Sequence, residues 1–146
     1  MSTEHECKPA ASPLNDAQRD AWLELGGFIG AADGLSALEI DALVASAAGP
    51  EGDGVVLRQA IERGAGSVTL PTSALALAEA CKPFIRLQCL SEIFHATGAD
   101  GCSEPEWKRL GEVASALLGD AKGPIFVDLC RAEETVGKLR RALMES

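Results

Sequence analysis

The chain has 146 residues, is 47% hydrophobic and 4% aromatic with no Tyr, and carries a formal net charge of −9. That length suits one domain, and a core built mainly from Ala and Leu favours packed helices over a β-sandwich. Residues 1–54 hold ten acids and two bases, against twelve and eleven in 55–146. So acidic a front third repels phosphate backbones and argues against nucleic acid; it suits a cation or a basic protein, or serves solubility alone.

Taken in chain order, the first thirteen residues, MSTEHECKPAASP, are polar and acidic and read as a disordered tail. They lack the apolar stretch of a signal peptide. Residues 14–146 read as one all-helical domain. A first helix over about 16–32 is capped by Asn15, with Gln18 three residues on, and places Trp22, Leu25, Phe28, Ile29 and Ala32 on one face. A second, 37–48, aligns Ile40, Leu43, Val44 and Ala47. GPEGDG at 49–54 is a loop. A third, 55–64, is expected to bury Val56, Leu57, Ala60 and Ile61.

GAGSVTLP then makes an extended or irregular connection. A fourth helix starts near Thr72 or Ser73, and Pro83 either opens a fifth or kinks the fourth. The fifth, 83–98, is apolar on most sides, so it is expected to be central. Only a stripe of Gln88, Ser91, Glu92 and His95 would reach water. A sixth runs 104–118. The seventh, 125–144, carries Leu129, Ala132, Val136, Leu139 and Leu143 in a 3-4-3-4 pattern, a seam expected to dock on the core rather than form a dimer coiled coil. The fold class expected is therefore all-α, a single-domain bundle of about seven helices. No stretch approaches ~18 uncharged apolar residues, so no transmembrane segment is expected.

A shift of 67 residues lays 19–48 on 86–115 without gaps, with nine of thirty positions identical, among them Arg19/Arg86, Asp33/Asp100, Gly34/Gly101, Ser36/Ser103 and Glu39/Glu106. Chance in so Ala-rich a chain gives roughly two or three. A helix–turn–helix unit has been duplicated, and its two apolar faces can cover each other about a pseudo-twofold axis.

The identities cluster at AADGLSALE and GADGCSEPE. In each, Gly34 or Gly101 can take a positive φ to end a helix. Ser36 or Ser103 then caps the next helix, and Glu39 or Glu106 completes a capping box. Asp33 and Asp100 escape that account, because a carboxylate at a helix C-terminus faces the negative pole of the dipole. Three compensations stay open: an Asx-type turn, pairing with Arg19 or Arg86, or joining the Glu of the same copy around a cation. Calcium and magnesium take such oxygen ligands.

Two ADGxSxxE turns between amphipathic helices, in register within a seven-helix pattern, resemble the TerB family of tellurite-resistance proteins over roughly residues 15–145. The resemblance implies a non-catalytic, all-helical bacterial protein of the stress response, tellurite resistance included. It implies action with other stress-response components near the inner membrane, and divalent cations as candidate ligands. Carried across by position, the acidic pairs are Asp33 with Glu39 and Asp100 with Glu106. The sequence departs from the family where turns are followed by two consecutive acids. Here Ile40 and Trp107 follow the glutamates, which removes ligands.

Other chemistry has less to stand on. Five cysteines, at 7, 81, 89, 102 and 130, are odd in number and without a CxxC pair, against a zinc or disulfide framework and in keeping with a reducing cytoplasm. Cys81, Cys89 and Cys130 fall in apolar helical patterns and are expected to be buried, whereas Cys102, in a turn, is a candidate reactive thiol. Glu92-x-x-His95 has the spacing of di-iron bundles but lacks a second copy. His5 falls in the tail. No nucleophile elbow or phosphate loop occurs. The expectation is a cytoplasmic, non-enzymatic protein that binds a partner through its acidic face, with a calcium or magnesium ion at Asp33, Glu39, Asp100 and Glu106. The alternative is a helical interaction scaffold without metal. An enzyme using Glu92, His95 or Cys102 comes third, and the oligomeric state is left open.

Overall fold

A computed structural model describes residues 14–48, 54–97 and 101–145. Helix α1, Asp16–Gly30, opens at Asn15, whose side chain accepts from the Gln18 N–H at 2.8 Å while Gln18 Oε1 accepts from the Asn15 N–H. Then follow a single 3₁₀ turn, Ala31–Asp33, and α2, Ala37–Ala48, α3, Gly54–Ala65, and α4, Ser73–Ala80. The chain continues with α5, Pro83–Thr97, α6, Glu104–Leu118, and α7, Gly123–Met144. The described residues contain no strand, so the protein is an all-α bundle. Pro83 opens α5 rather than kinking α4, as its missing N–H and fixed φ allow at a helix start.

The core is a single cluster centred on α1, where Trp22, Leu23, Leu25, Phe28 and Ile29 are almost wholly buried. Both copies of the duplicated hairpin meet there. Trp22 Nε1 donates to the Cys89 carbonyl at 3.0 Å, joining two positions 67 residues apart. Helix α2 packs on α5 and α6 packs on α1, as a twofold requires.

The symmetry fails at the third helix of each copy. Helix α3 lies tight on α1, whereas α7 packs chiefly on α6. The cause is local. A Cβ on Gly27 would collide with the Ile61 carbonyl, and one on Gly64 with the Glu24 carbonyl. These two glycines let the α1 and α3 backbones approach. At the same offset of 67, Phe94 and Arg131 replace them. Phe94 stacks near Trp107, 5.7 Å between ring centroids, and the Arg131 guanidinium lies 4.6 Å over the Trp107 ring. Side chains of that bulk hold α7 away from α5.

Three expectations are thereby corrected. The seam of α7 does not dock: Leu129, Ala132, Val136, Leu139 and Leu143 are all exposed, because the face of α7 that packs on the bundle is that of Phe126 and Cys130. Helix α5 is not shielded outside its polar stripe, since Phe84 and Leu87 reach solvent where α7 stands off. Val56 is 48% exposed, because α3 turns Leu57, Ala60, Ile61 and Gly64 inward. No helix among the described residues is long and apolar enough to cross a membrane.

Candidate functional site

The two turns converge on a pair of buried carboxylates. Gly34 and Gly101 hold φ of 100° and 96°, which redirects the chain after each first helix and leaves the next serine free to cap. Ser36 Oγ accepts from the Glu39 N–H at 3.1 Å, and Glu39 Oε1 accepts from the Ser36 N–H at 2.9 Å. Ser103 and Glu106 repeat the arrangement at 3.3 and 2.9 Å. Both capping boxes form as the spacing demands.

Capping glutamates normally face water. Here each is 2% exposed, because α2 packs on α5 while α6 packs on α1 and on the Ala31–Asp33 turn. The two carboxyl groups are close enough to act on each other electrostatically. Each spends Oε1 on its own cap, and each Oε2 is buried with no hydrogen-bond partner. The Glu39 Oε2 points back toward the end of α1, 3.8 Å from where a Cβ on Gly30 would lie.

Burial pushes the Glu106 carboxyl up to about 7, against the pull of the Ser103 backbone N–H. The negative charges of Asp33 and Glu39 raise it further. A carboxyl group buried among other negative charges favours a bound proton or a nearby cation, and Glu106 is such a group.

The pairing differs from the one expected. Residue spacing groups Asp33 with Glu39 of its own turn, whereas the structure pairs Glu39 with Glu106 across the twofold. Asp33 is exposed and acts electrostatically on Glu106 of the other copy. Asp100 lies outside the described residues. Arg19 pairs with Asp16 at 2.7 Å, and Arg86 Nη1 donates to the Leu117 carbonyl at 2.9 Å, so both arginines are engaged away from the turns. Among the described residues no group of three or more His, Cys, Asp and Glu side chains is placed to hold a metal. The mutual burial of the two glutamates was missed, and its only signal is that equivalent residues of a duplication can meet on the axis.

The acidic front third is partly neutralised. Arg58 of α3 pairs with Asp41 at 2.9 Å, and Arg63 reaches Glu24 at 3.3 Å and Asp20 at 4.0 Å. Of the candidate nucleophile and acid–base groups, Cys102 lies in the second turn itself and His95 lies apart from it. Cys102 is half-buried with its thiol pushed up to about 12 by burial, helped by the charges of Glu106 and Glu134. Such a thiol is a poor nucleophile. Cys81, expected to be buried, is half-buried, while Cys89 and Cys130 are buried. His95 is exposed, 3.7 Å from Glu133 of α7.

No protein-family model matches this chain, and neither the curated proteins nor the solved structures give a match. The fold and site thus define an all-helical bundle with a duplicated hairpin and a buried glutamate pair.

Proposed function

We propose that this is a non-catalytic, TerB-like protein of the bacterial stress response that uses its duplicated turns to hold a divalent cation, and that it engages a protein partner through its acidic surface. The observation that carries the cation is the pair of buried, unpartnered Oε2 atoms of Glu39 and Glu106. Leaving two such atoms buried without a partner is costly unless something positive lies near them. Oxygen-only donors suit calcium or magnesium, which keep waters as further ligands. Asp33 and Asp100 complete the proposed set, Asp33 from the rim. The acidic turns in register, which resemble those of the TerB family, support the biological setting.

Calorimetry on metal-free protein with calcium, magnesium, manganese and zinc tests the cation. Binding heat and a higher melting temperature with at least one ion are expected, both lost in Glu39→Gln, Glu106→Gln. Absence of heat and of any melting shift with all four ions would exclude it. A strain lacking the gene is expected to be more sensitive to tellurite or a related stress.

The second reading is a metal-free scaffold in which the glutamates share a proton. The capping boxes favour it, since each Oε1 already has a structural role. It predicts that the double Gln variant is at least as stable as wild type at pH 7 with no cation response in either.

A further inference from the structure

We propose that α7 pairs antiparallel with α7 of a second copy of this chain, across the seam of Ile125, Leu129, Ala132, Val136, Leu139 and Leu143. These residues recur at spacings of 4-3-4-3-4, the a/d pattern of a coiled coil over the whole helix. All six are exposed. The inward face of α7 is already satisfied by docking Phe126 and Cys130 on the bundle. The seam is therefore a second apolar face on the same helix, one that the described residues leave uncovered.

The surface extends beyond the helix. A groove of about 600 Å³ lies between α5 and α7, with Phe84, Leu87, Ile125 and Leu129 on its walls. A second, of about 980 Å³, continues from Leu129 past Val136. Phe94 lines the second groove, and Leu117 and Leu118 of α6 close the first. Seven large apolar side chains border this space or extend the seam, each between 41% and 87% exposed. At about 100 Å² apiece they present roughly 700 Å², above the range usual for a monomer. Two copies would bury on the order of 1,400 Å², within the range of stable dimers.

Charge decides the orientation. Asp128 and Glu133, the latter 3.7 Å from His95, lie in the first part of the helix, and Arg140 and Arg141 in the last, while Glu134 and Lys138 pair with each other at 3.1 Å. The intervening Arg131 is occupied with Trp107 and Glu104. A parallel pair would set acid beside acid and base beside base. An antiparallel pair centred near Glu134 sets the acidic part of each helix against the basic part of the other. The same register places Ile125 against Leu143 of the second copy, Leu129 against Leu139, and Ala132 against Val136. It uses every apolar position of the seam. The last turns of each helix then fill the α5–α7 groove of the other copy. The contact is isologous, so it closes at two copies.

Sedimentation velocity from about 1 to about 100 μM tests this. A reversible dimer is expected. Leu139→Glu should weaken it at least ~10-fold. Its melting in the monomeric range should be unchanged, because Leu139 is exposed. Arg140→Glu, Arg141→Glu should also weaken it, and adding Asp128→Lys should restore part of the loss. Under mild oxidation, a mixture of Leu129→Cys and Leu139→Cys proteins should cross-link above the wild-type background, and neither protein alone should. A monomer throughout the range would overturn the proposal, as would a dimer insensitive to Leu139→Glu. Cross-linking of Leu139→Cys alone would overturn the antiparallel register, and a monomer that binds vesicles through these residues would assign the face to a lipid surface instead.

Discussion

Trp22 and Cys89 occupy the same position in the two copies of the hairpin, and the indole N–H of one donates to the backbone carbonyl of the other at 3.0 Å. Glu39 and Glu106 are likewise equivalent and likewise in contact. Two equivalent pairs that touch mark where the pseudo-twofold axis runs, from the centre of the core to the meeting point of the turns. Trp22→Phe keeps most of the apolar volume and removes the donor. It should cost about 1–3 kcal/mol in urea unfolding, because the Cys89 carbonyl is left without its side-chain partner in a dry core. Trp22→Ala should cost more, about 3–5 kcal/mol, by adding a cavity.

Stability should fall as pH rises through the acid-to-neutral range in metal-free protein. The Glu106 carboxyl is raised from 4.5 to about 7 on folding. A group raised in this way contributes its full stability below pH 4.5, where both states are protonated, and loses it as pH climbs to about 7. The loss is at most roughly 3 kcal/mol. Glu106→Gln should flatten that slope in melting curves recorded from pH 4 to pH 8. A bound divalent cation should reverse the slope above pH 7, since it takes the deprotonated pair. A wild-type curve that rises from pH 5 to pH 7 without cation would contradict the buried pair.

Glycine positions should split by what surrounds them. Gly27→Ala and Gly64→Ala each drive a methyl into the backbone of the facing helix. Each should destabilise by about 3 kcal/mol or more, since main chain cannot step aside without moving α3 off α1. Gly111→Ala, within α6, meets only Val127 Cγ2 at 3.8 Å. It should stabilise by about 0.5–1 kcal/mol through helix propensity. Thermal melts of the three variants check the contrast.

Thiol chemistry should be slow. Cys89, Cys102 and Cys130 are each pushed up to about 12 by burial, with nearby acidic charges adding to it. At pH 8 iodoacetamide should modify these three far more slowly than a free thiol. Replacing Glu106 and Glu134 by Gln should speed Cys102 only in part, because burial is the larger cause. Mass spectrometry over a time course reads the order. Fast alkylation of Cys102 in the folded wild type would mean that its surroundings are not those described.

Helix positions and turns were legible in the residues because their causes are local. Asn15 with Gln18, and the two Ser–Glu boxes, cap helices through atoms three residues apart. Pro83 and the positive-φ glycines act on their own backbone. The duplication was legible too, since it is a property of the string. Tertiary structure alone decided which copies of a residue meet. A pseudo-twofold brings together only the positions on its axis, and spacing does not reveal where the axis falls. Glu39 therefore reads as a solvent-facing cap until packing presses it against Glu106. In the same way the heptad of α7 reads as a core face. Its exposure follows from Phe94 and Arg131 standing where Gly27 and Gly64 allow the first copy to close, a contrast between residues that touch only after folding.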